Sequence, residues 1–228
     1  MTRLGLLGGT FDPIHQGHLD VAEAARLALG LTSVWLVPSR NPPHRRTPRA
    51  SAPHRFAMAA IAAQNCPGYQ VSDIEMTDPG ELSPSYTEAT LDRLSAQGLD
   101  TRTVFFITGA DAFREIRTWK GFPGILDRCH FVAVSRPGQP VAELRTLLPD
   151  LASRMTDAAA SAIPGIDTGN RFPESIFLVD APTAPVSSTL IRERLTRGES
   201  IEGMVPPAVA AHIQKHGLYR ELTTKDAE

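Results

Sequence analysis

Cysteine is almost missing from this 228-residue chain: only Cys66 and Cys129 occur, with no C-x-x-C spacing. Neither a disulfide framework nor a cysteine zinc site is therefore expected. An excess of one charge is missing too. The 23 Lys and Arg against 25 Asp and Glu leave −2, so no whole-chain basic field attracts nucleic acid. Long apolar runs are lacking: Ala57–Ala63 falls far short of the ~20 residues that span a bilayer, and no membrane partner is expected. Up to Asp12 there is no long apolar run and no A-x-A-like site, so no signal peptide is expected and the anticipated setting is cytoplasmic. Three motifs are absent as well: the G-x-x-x-x-G-K-[ST] loop, the G-x-G-x-x-G fingerprint and H-E-x-x-H. What remains, 42% apolar and 21% charged residues, is ordinary globular composition at a length sufficient for a full core.

Strand and helix patterns alternate along the chain. Apolar runs predict strands at Arg3–Leu7, Ser33–Val37, Gln70–Glu75, Thr103–Thr108, Cys129–Ser135 and Ile176–Val179. Helical spacing predicts helices at Gly17–Leu29, Phe56–Gln64, Tyr86–Ala96, Ser188–Arg197 and Pro207–His216. Ser39–Pro53 reads as a Pro-rich basic loop, and Pro149–Pro173 as loops with one short helix. The alternation predicts an α/β fold, with a mostly parallel sheet covered by helices on both faces. A single domain over residues 1–228 is expected, with a core over about 1–182 and a helical part over about 183–220.

The most informative stretch is Gly8-Gly-Thr-Phe-Asp-Pro-Ile-His-Gln-Gly-His18. It lies between a strand end and a helix start, where open α/β sheets hold ligands. Gly8 and Gly9 permit close backbone approach, and the helix N-terminus offers N–H groups to an anion. His15 and His18 are placed to aim Nε2 donors at the same anion, a combination that suits a triphosphate; no carboxylate or cysteine cluster completes a metal site with them. Near the other end stands Val186-Ser-Ser-Thr-Leu-Ile-Arg192. Ser187, Ser188 and Thr189 are N-cap types, and Arg192 one turn inside the helix is within reach of phosphate oxygens.

These two motifs resemble those of the nucleotidyltransferase superfamily with a paired-His phosphate site. The resemblance narrows to the bacterial nicotinate-nucleotide adenylyltransferase family, from Leu4 to Tyr219, through Asn41-Pro-Pro-His-Arg45, Pro84-Ser-Tyr-Thr87, Ile107-Thr-Gly-Ala-Asp111, Trp119-Lys120, Ser135-Arg-Pro-Gly138 and His216-Gly-Leu-Tyr219. It implies a Rossmann-like doubly wound fold. It also implies adenylyl transfer from ATP to nicotinate mononucleotide, giving nicotinate adenine dinucleotide and pyrophosphate in NAD biosynthesis.

The implied catalytic residues are His15, His18 and Arg192. ATP is expected to meet Gly8, Gly9, Thr10, Phe11, His15, His18, Ser187, Ser188, Thr189 and Arg192. The acceptor is expected to meet His44, Tyr86, Thr87, Asp111, Trp119, Lys120 and Arg136. Mg²⁺ is expected to enter with ATP and not in a protein cage. Physically, an indole such as Trp119 stacks well on a cationic pyridine ring, though a core Trp is the competing reading. Asp111 reads either as a ribose acceptor or as the N-cap of the helix after it. The loop Arg40–Arg49 reads as a phosphate clamp or a solvated face. It departs from the family pattern in carrying Ser39 after Pro38, with Asn41 two positions later. His212 and His216 read as surface residues. A homo-oligomer is compatible with the chain. Rival readings are a nicotinamide mononucleotide adenylyltransferase, a phosphopantetheine adenylyltransferase and a nucleotide-sensing or RNA-binding module without chemistry.

Overall fold

The computed structural model describes residues 3–43, 47–76, 84–158 and 175–220. Seven strands run through it: β1 (Leu4–Gly9), β2 (Ser33–Pro38), β3 (Tyr69–Val71), β4 (Val104–Gly109), β5 (His130–Val134), β6 (Met155–Asp157) and β7 (Ile176–Val179). They form one sheet in the order β3-β2-β1-β4-β5-β7-β6, and every pairing is parallel. Such a sheet is buried on both faces, which is why its strands read as continuous apolar runs.

The two faces separate by the period-two alternation of strand side chains. Leu7, Leu36, Phe105, Ile107, Val132, Val134, Phe177 and Val179 enter one apolar cluster. Leu4, Leu6, Val104, Phe106, Phe131, Ala133, Ile176 and Leu178 enter the other. Helices α1 (Gln16–Leu29) and α2 (Ala52–Ala63) cover the first face through Leu19, Ala22, Met58 and Ala62. Helices α3 (Thr87–Ala96), α4 (Ala110–Arg114) and α5 (Leu144–Leu147) cover the second through Leu91, Leu94, Phe113 and Leu144. Helices α6 (Ser188–Thr196) and α7 (Pro207–Lys215) add Ile191, Val209 and Ile213 to the first cluster. The parallel α/β architecture expected from the alternation is the one found, doubly wound as the resemblance implied.

From β1 the chain builds β2 and β3 on one side, and β4 onward on the other. The order therefore reverses between β1 and β4. Their carboxyl ends, Gly8-Gly9 and Thr108-Gly109, open into the crevice where sheets of this kind bind ligands.

Several elements differ from expectation, among them the unforeseen helix α5. Helix α2 begins at Ala52, four residues early, because Pro53 falls in the first turn, where its missing N–H costs nothing. Strand β3 stops at Val71, so Glu75 lies beyond the sheet. A short strand, β6, occupies part of the segment read as loops, pairing with β7 at the sheet edge; residues 159–174 of that segment lie outside the described residues. Strand β1 continues through Gly8-Gly9, because the ladder with Val37 and Pro38 holds them extended.

Candidate active site at the carboxyl ends of β1 and β4

The turn from β1 into α1 is tightly specified. Phe11 is fully buried with φ of 51°, a conformation bulky residues rarely adopt unless their surroundings hold them there. Its ring meets that of His18 edge-on at 5.1 Å. His15 is the N-cap residue of α1, and its ring stacks on His18 at 3.7 Å between centroids. The His15 backbone N–H donates to His18 Nδ1 at 3.2 Å. An accepting Nδ1 leaves the proton of a neutral His18 on Nε2, the far nitrogen of the ring. His15 is only 2% exposed. Burial, reinforced by the Arg136 guanidinium, lowers its pKa to about 3, so the ring is neutral at pH 7.

The second motif lands on this same turn. Ser187 caps α6 by accepting from the Leu190 N–H at 3.1 Å. Ser188 donates to the Pro13 carbonyl at 2.9 Å. Arg192 donates to the Asp12 carbonyl at 2.7 Å and to Thr189 Oγ1 at 3.1 Å, and lies 3.8 Å from the Asp12 carboxylate. The Ala184 N–H donates to Asp20 on α1 at 2.8 Å. A Cβ on Gly17 would stand 3.2 Å from the Ala184 carbonyl and 3.3 Å from the His15 ring, so glycine is what lets α1 and the second motif approach. Two helix N-termini, of α1 and α6, thus flank the histidine pair, and their dipoles favour an anion there.

The described acceptor candidates form two groups: Tyr86, Thr87 and Lys120 at the start of α3, and Asp111 with Arg136 at α4, with Trp119 packed at Phe106 and Phe131. Tyr86 is the N-cap residue of α3 but does not cap it with its side chain, which leaves first-turn N–H groups, beginning with that of Thr87, for another acceptor. Lys120 Nζ lies 5.0 Å from the Tyr86 ring centre and 4.0 Å from Glu88. Trp119 is half-buried, packed edge-on against Phe106 at 5.8 Å and Phe131 at 6.3 Å. It is therefore an edge residue, supported from behind and open on its remaining surface. The N-cap of α4 is Gly109, so the capping reading of Asp111 is corrected: Asp111 is the second helical residue and exposed. A Cβ on Gly109 would collide with the Asp111 carboxylate and the Arg136 side chain. Arg136 lies 3.9 Å from Asp111 and donates to the Val186 carbonyl at 3.2 Å, which ties it to the second motif. Beside it a cleft of about 300 Å³ is lined by Ser135, Pro137, Asp180 and Thr183 among others.

In the basic loop, His44 lies outside the described residues, as do Arg45 and Arg46. Arg40 donates to the Met76 carbonyl at 2.9 Å, and Arg49 to Thr196 on α6 at 3.3 Å. Asn41 and Ser85 pair through the Ser85 N–H and the Asn41 carbonyl at 2.8 Å, which sets this loop beside Tyr86.

Four residues to which the sequence reading assigned no role hold the site together. Asp12, 5% exposed, accepts from the backbone N–H of Arg49 and Ala50 and from the Tyr219 hydroxyl, at 2.8, 3.0 and 2.9 Å. Arg55, 1% exposed, donates to the carbonyls of Thr10, Ser39, Arg40 and Ala50; its burial lowers its proton affinity. Glu75 is buried, accepts from Thr90 at 2.6 Å, and is pushed above the usual carboxylate range by desolvation. The fourth is Tyr219 itself. A signal existed for Arg55: Met58, Ala59, Ala62 and Ala63 follow it at helical spacing, which places a cation on the apolar face.

The fold and the paired-histidine turn fit a nucleotidyltransferase, and residues 6–194 match the cytidylyltransferase-like family, to which the chain belongs. A protein of Roseiflexus sp. (strain RS-1) named "Probable nicotinate-nucleotide adenylyltransferase" is 40% identical over 218 residues, covering 95% of this chain and 98% of its own. One of Thermus thermophilus with the same name is 39% identical over 96% of this chain and all of its own. Within the wider family, the chain is thus a member of the nicotinate-nucleotide adenylyltransferases. The fold also matches Plasmodium falciparum nicotinic acid mononucleotide adenylyltransferase complexed with NaAD, with a TM-score of 0.71, 18% identity and coverage of 96% and 98% of the two chains. Among the described residues, no helix is long and apolar enough to cross a membrane, and neither Cys66 nor Cys129 takes part in a disulfide.

Proposed function

We propose that this enzyme transfers the adenylyl group of Mg²⁺–ATP to nicotinate mononucleotide, in the cytoplasm. The observation that carries the reading is the convergence of His15, His18, Ser188 and Arg192 on the Asp12–Pro13 turn, on a chain whose relatives bear that activity in their names. An oxygen of the acceptor's 5′-phosphate attacks the α-phosphorus of ATP. The bond from that phosphorus to the α,β-bridging oxygen breaks, and pyrophosphate leaves. A phosphate monoester has a second pKa near 6 and is already nucleophilic at pH 7, so no side-chain base is required. The protein's task is alignment and neutralisation of charge on the transferring and leaving oxygens.

In this reading His18 offers Nε2–H to the α-phosphate, and His15, neutral, contributes a hydrogen-bond donor and no charge. Arg192 and the N–H groups at the start of α6, at Ser188 and Thr189, take the β- and γ-phosphates; Gly8, Gly9, Thr10 and Phe11 bring the backbone alongside. Mg²⁺ would enter with ATP and help neutralise the phosphate charge; among the described residues no three His, Cys, Asp or Glu are placed to hold it. Trp119 stacks on the pyridine ring, and the open α3 N-terminus at Tyr86 and Thr87 receives the nicotinate carboxylate. Lys120 faces the same site, His44 meets the acceptor from the basic loop, and Asp111 with Arg136 holds the ribose and phosphate between the two halves.

The test is pyrophosphate release from Mg²⁺–ATP with nicotinate mononucleotide, nicotinamide mononucleotide or phosphopantetheine as acceptor. Strong preference for the first is expected. Preference for another acceptor would overturn the pocket assignment, and no release with any of them would overturn the chemistry.

A further inference from the structure

Arg55 on α2 is a fully buried cation, and every hydrogen bond it makes among the described residues ends on a backbone carbonyl. The carboxylates that face it, Asp12 and Glu75, act on it through space. A buried charge is costly, and an apolar side chain would fill the same volume without that cost. What the guanidinium provides is a set of connections. Its Nη1 donates to Thr10 at 2.7 Å and to Ser39 at 2.5 Å, its Nη2 to Arg40 at 3.0 Å and its Nε to Ala50 at 3.2 Å. Thr10 belongs to the β1–α1 turn, on the ATP side. Ser39, Arg40 and Ala50 stand at the two ends of the basic loop, so one side chain closes the neck of that loop and ties the neck to the turn. Ala50 is held twice, by Asp12 through its N–H and by Arg55 through its carbonyl.

From the neck the contacts run on to the acceptor side. The Asn41 carbonyl accepts from the Ser85 N–H at 2.8 Å, and the Asn41 N–H donates to the Ser85 hydroxyl at 3.3 Å. Ser85 precedes Tyr86, the N-cap residue of α3. Thr10, Arg55, Ser39, Arg40, Asn41 and Ser85 thus form an unbroken path from the β1–α1 turn to the start of α3. We propose that Arg55 is a positioning residue that couples the two substrate sites: the turn and the start of α3 take up their binding geometry together because one guanidinium holds both. This coupling rests on the assignment of those two places to ATP and to nicotinate mononucleotide made above. The planar fork of an arginine directs N–H groups along fixed lines to carbonyls on several sides, whereas a lysine ammonium is a point donor that cannot span them. A ligand that fixes Thr10 also fixes the other partners of the guanidinium, so the second ligand meets a site already ordered. By linkage the effect is the same in both directions.

The experiment titrates full-length protein calorimetrically with nicotinate mononucleotide, with and without saturating α,β-methylene-ATP and Mg²⁺, and then with the ligands in reverse order. The methylene bridge prevents transfer, so binding is read without turnover. In the parent each ligand should tighten the other by the same factor, about fivefold or more. In Arg55→Lys the factor should fall toward one although the charge is kept. A merely structural Arg55 would lower the melting temperature and leave the factor unchanged, and an undiminished factor in folded Arg55→Lys would overturn the coupling. Should Arg55→Lys not fold, hydrogen exchange on the parent decides. There α,β-methylene-ATP alone should slow exchange of the amides at residues 39–41 and 85–86, which touch no part of ATP in this reading; protection confined to the β1–α1 turn and α6 would overturn the coupling. A parent that binds both ligands with a factor of one overturns the coupling alone. Failure of the parent to bind either ligand overturns the adenylyl-transfer reading and the coupling with it.

Discussion

The Tyr219 hydroxyl donates to the Asp12 carboxylate at 2.9 Å, joining residues 207 positions apart. Asp12 also accepts from the backbone at Arg49 and Ala50, and its carbonyl accepts from Arg192. One buried carboxylate thereby binds the β1–α1 turn, the loop before α2 and the segment after α7, while its own carbonyl holds α6. The desolvated Tyr219 phenol, beside that carboxylate, has its pKa raised and stays protonated as the donor.

Removing that hydroxyl with Tyr219→Phe leaves one Asp12 acceptor site unfilled. The expected loss is about 1–2 kcal/mol in urea unfolding, together with a lower kcat/KM for ATP because Arg192 shares the same turn. Unchanged ATP kinetics would confine Tyr219 to the scaffold.

His18→Ala removes the Nε2–H donor that the proposed reaction directs at the transferring phosphate. Steady-state kinetics should show kcat lower by about 10²-fold or more, as for loss of one preorganised donor. KM for nicotinate mononucleotide should hold within about threefold, since the lost interaction acts mainly in the transition state. Normal turnover would remove His18 from the mechanism.

Trp119→Ala should act on the other parameter. Loss of the stacking face is expected to raise KM for nicotinate mononucleotide by about fivefold to fiftyfold, with a much smaller change in kcat. Trp119→Phe should recover part of the loss. A lower melting temperature with KM unchanged would make the indole a packing residue for Phe106 and Phe131.

His15, with a pKa of about 3 in the fold, binds a proton far less readily than in the unfolded chain, where about 6.5 applies. The unfolded state therefore takes up more protons between these values. The stability His15 contributes is present above about pH 6.5 and is lost as pH falls toward 3. His15→Gln should lose about 2–3 kcal/mol less than the parent between pH 7 and 4.5 in urea unfolding. Equal losses would show that His15 is not held neutral.

Glu75 has the opposite sign. Burial raises its pKa, so its contribution is complete below the unfolded value of about 4.3 and is lost as pH rises through the folded one. Glu75→Gln should melt about 2–4 °C higher than the parent at pH 8, with the difference vanishing near pH 4. A lower melting temperature at pH 8 would mean that the ionised form is the stabilised one, held by Arg93.

The paired histidines and the Ser-Ser-Thr-x-x-Arg string were legible because each is a local pattern: residues three or four apart at a helix start share a face whatever the fold around them. The strands were legible for a related reason, since a parallel sheet buried on both faces demands unbroken apolar runs such as Val104–Ile107. Short edge strand β6 was not legible. Its three residues are ordered by pairing with β7, which local spacing does not encode.

Sequence by itself determined the alternating strands and helices, the glycine-rich turn after β1 and the paired histidines at the helix start that follows, because backbone propensity and helix-start chemistry act over a few positions. Only the tertiary structure decided that Asp12 answers to Tyr219, that Arg55 fills four carbonyls under the basic loop, that Arg136 joins Asp111 to the second motif and that His54 packs against His212 and His216. Those contacts span from five to more than two hundred residues. The parallel sheet order and the packing of helices on it set them, and no local pattern along the chain carries that information.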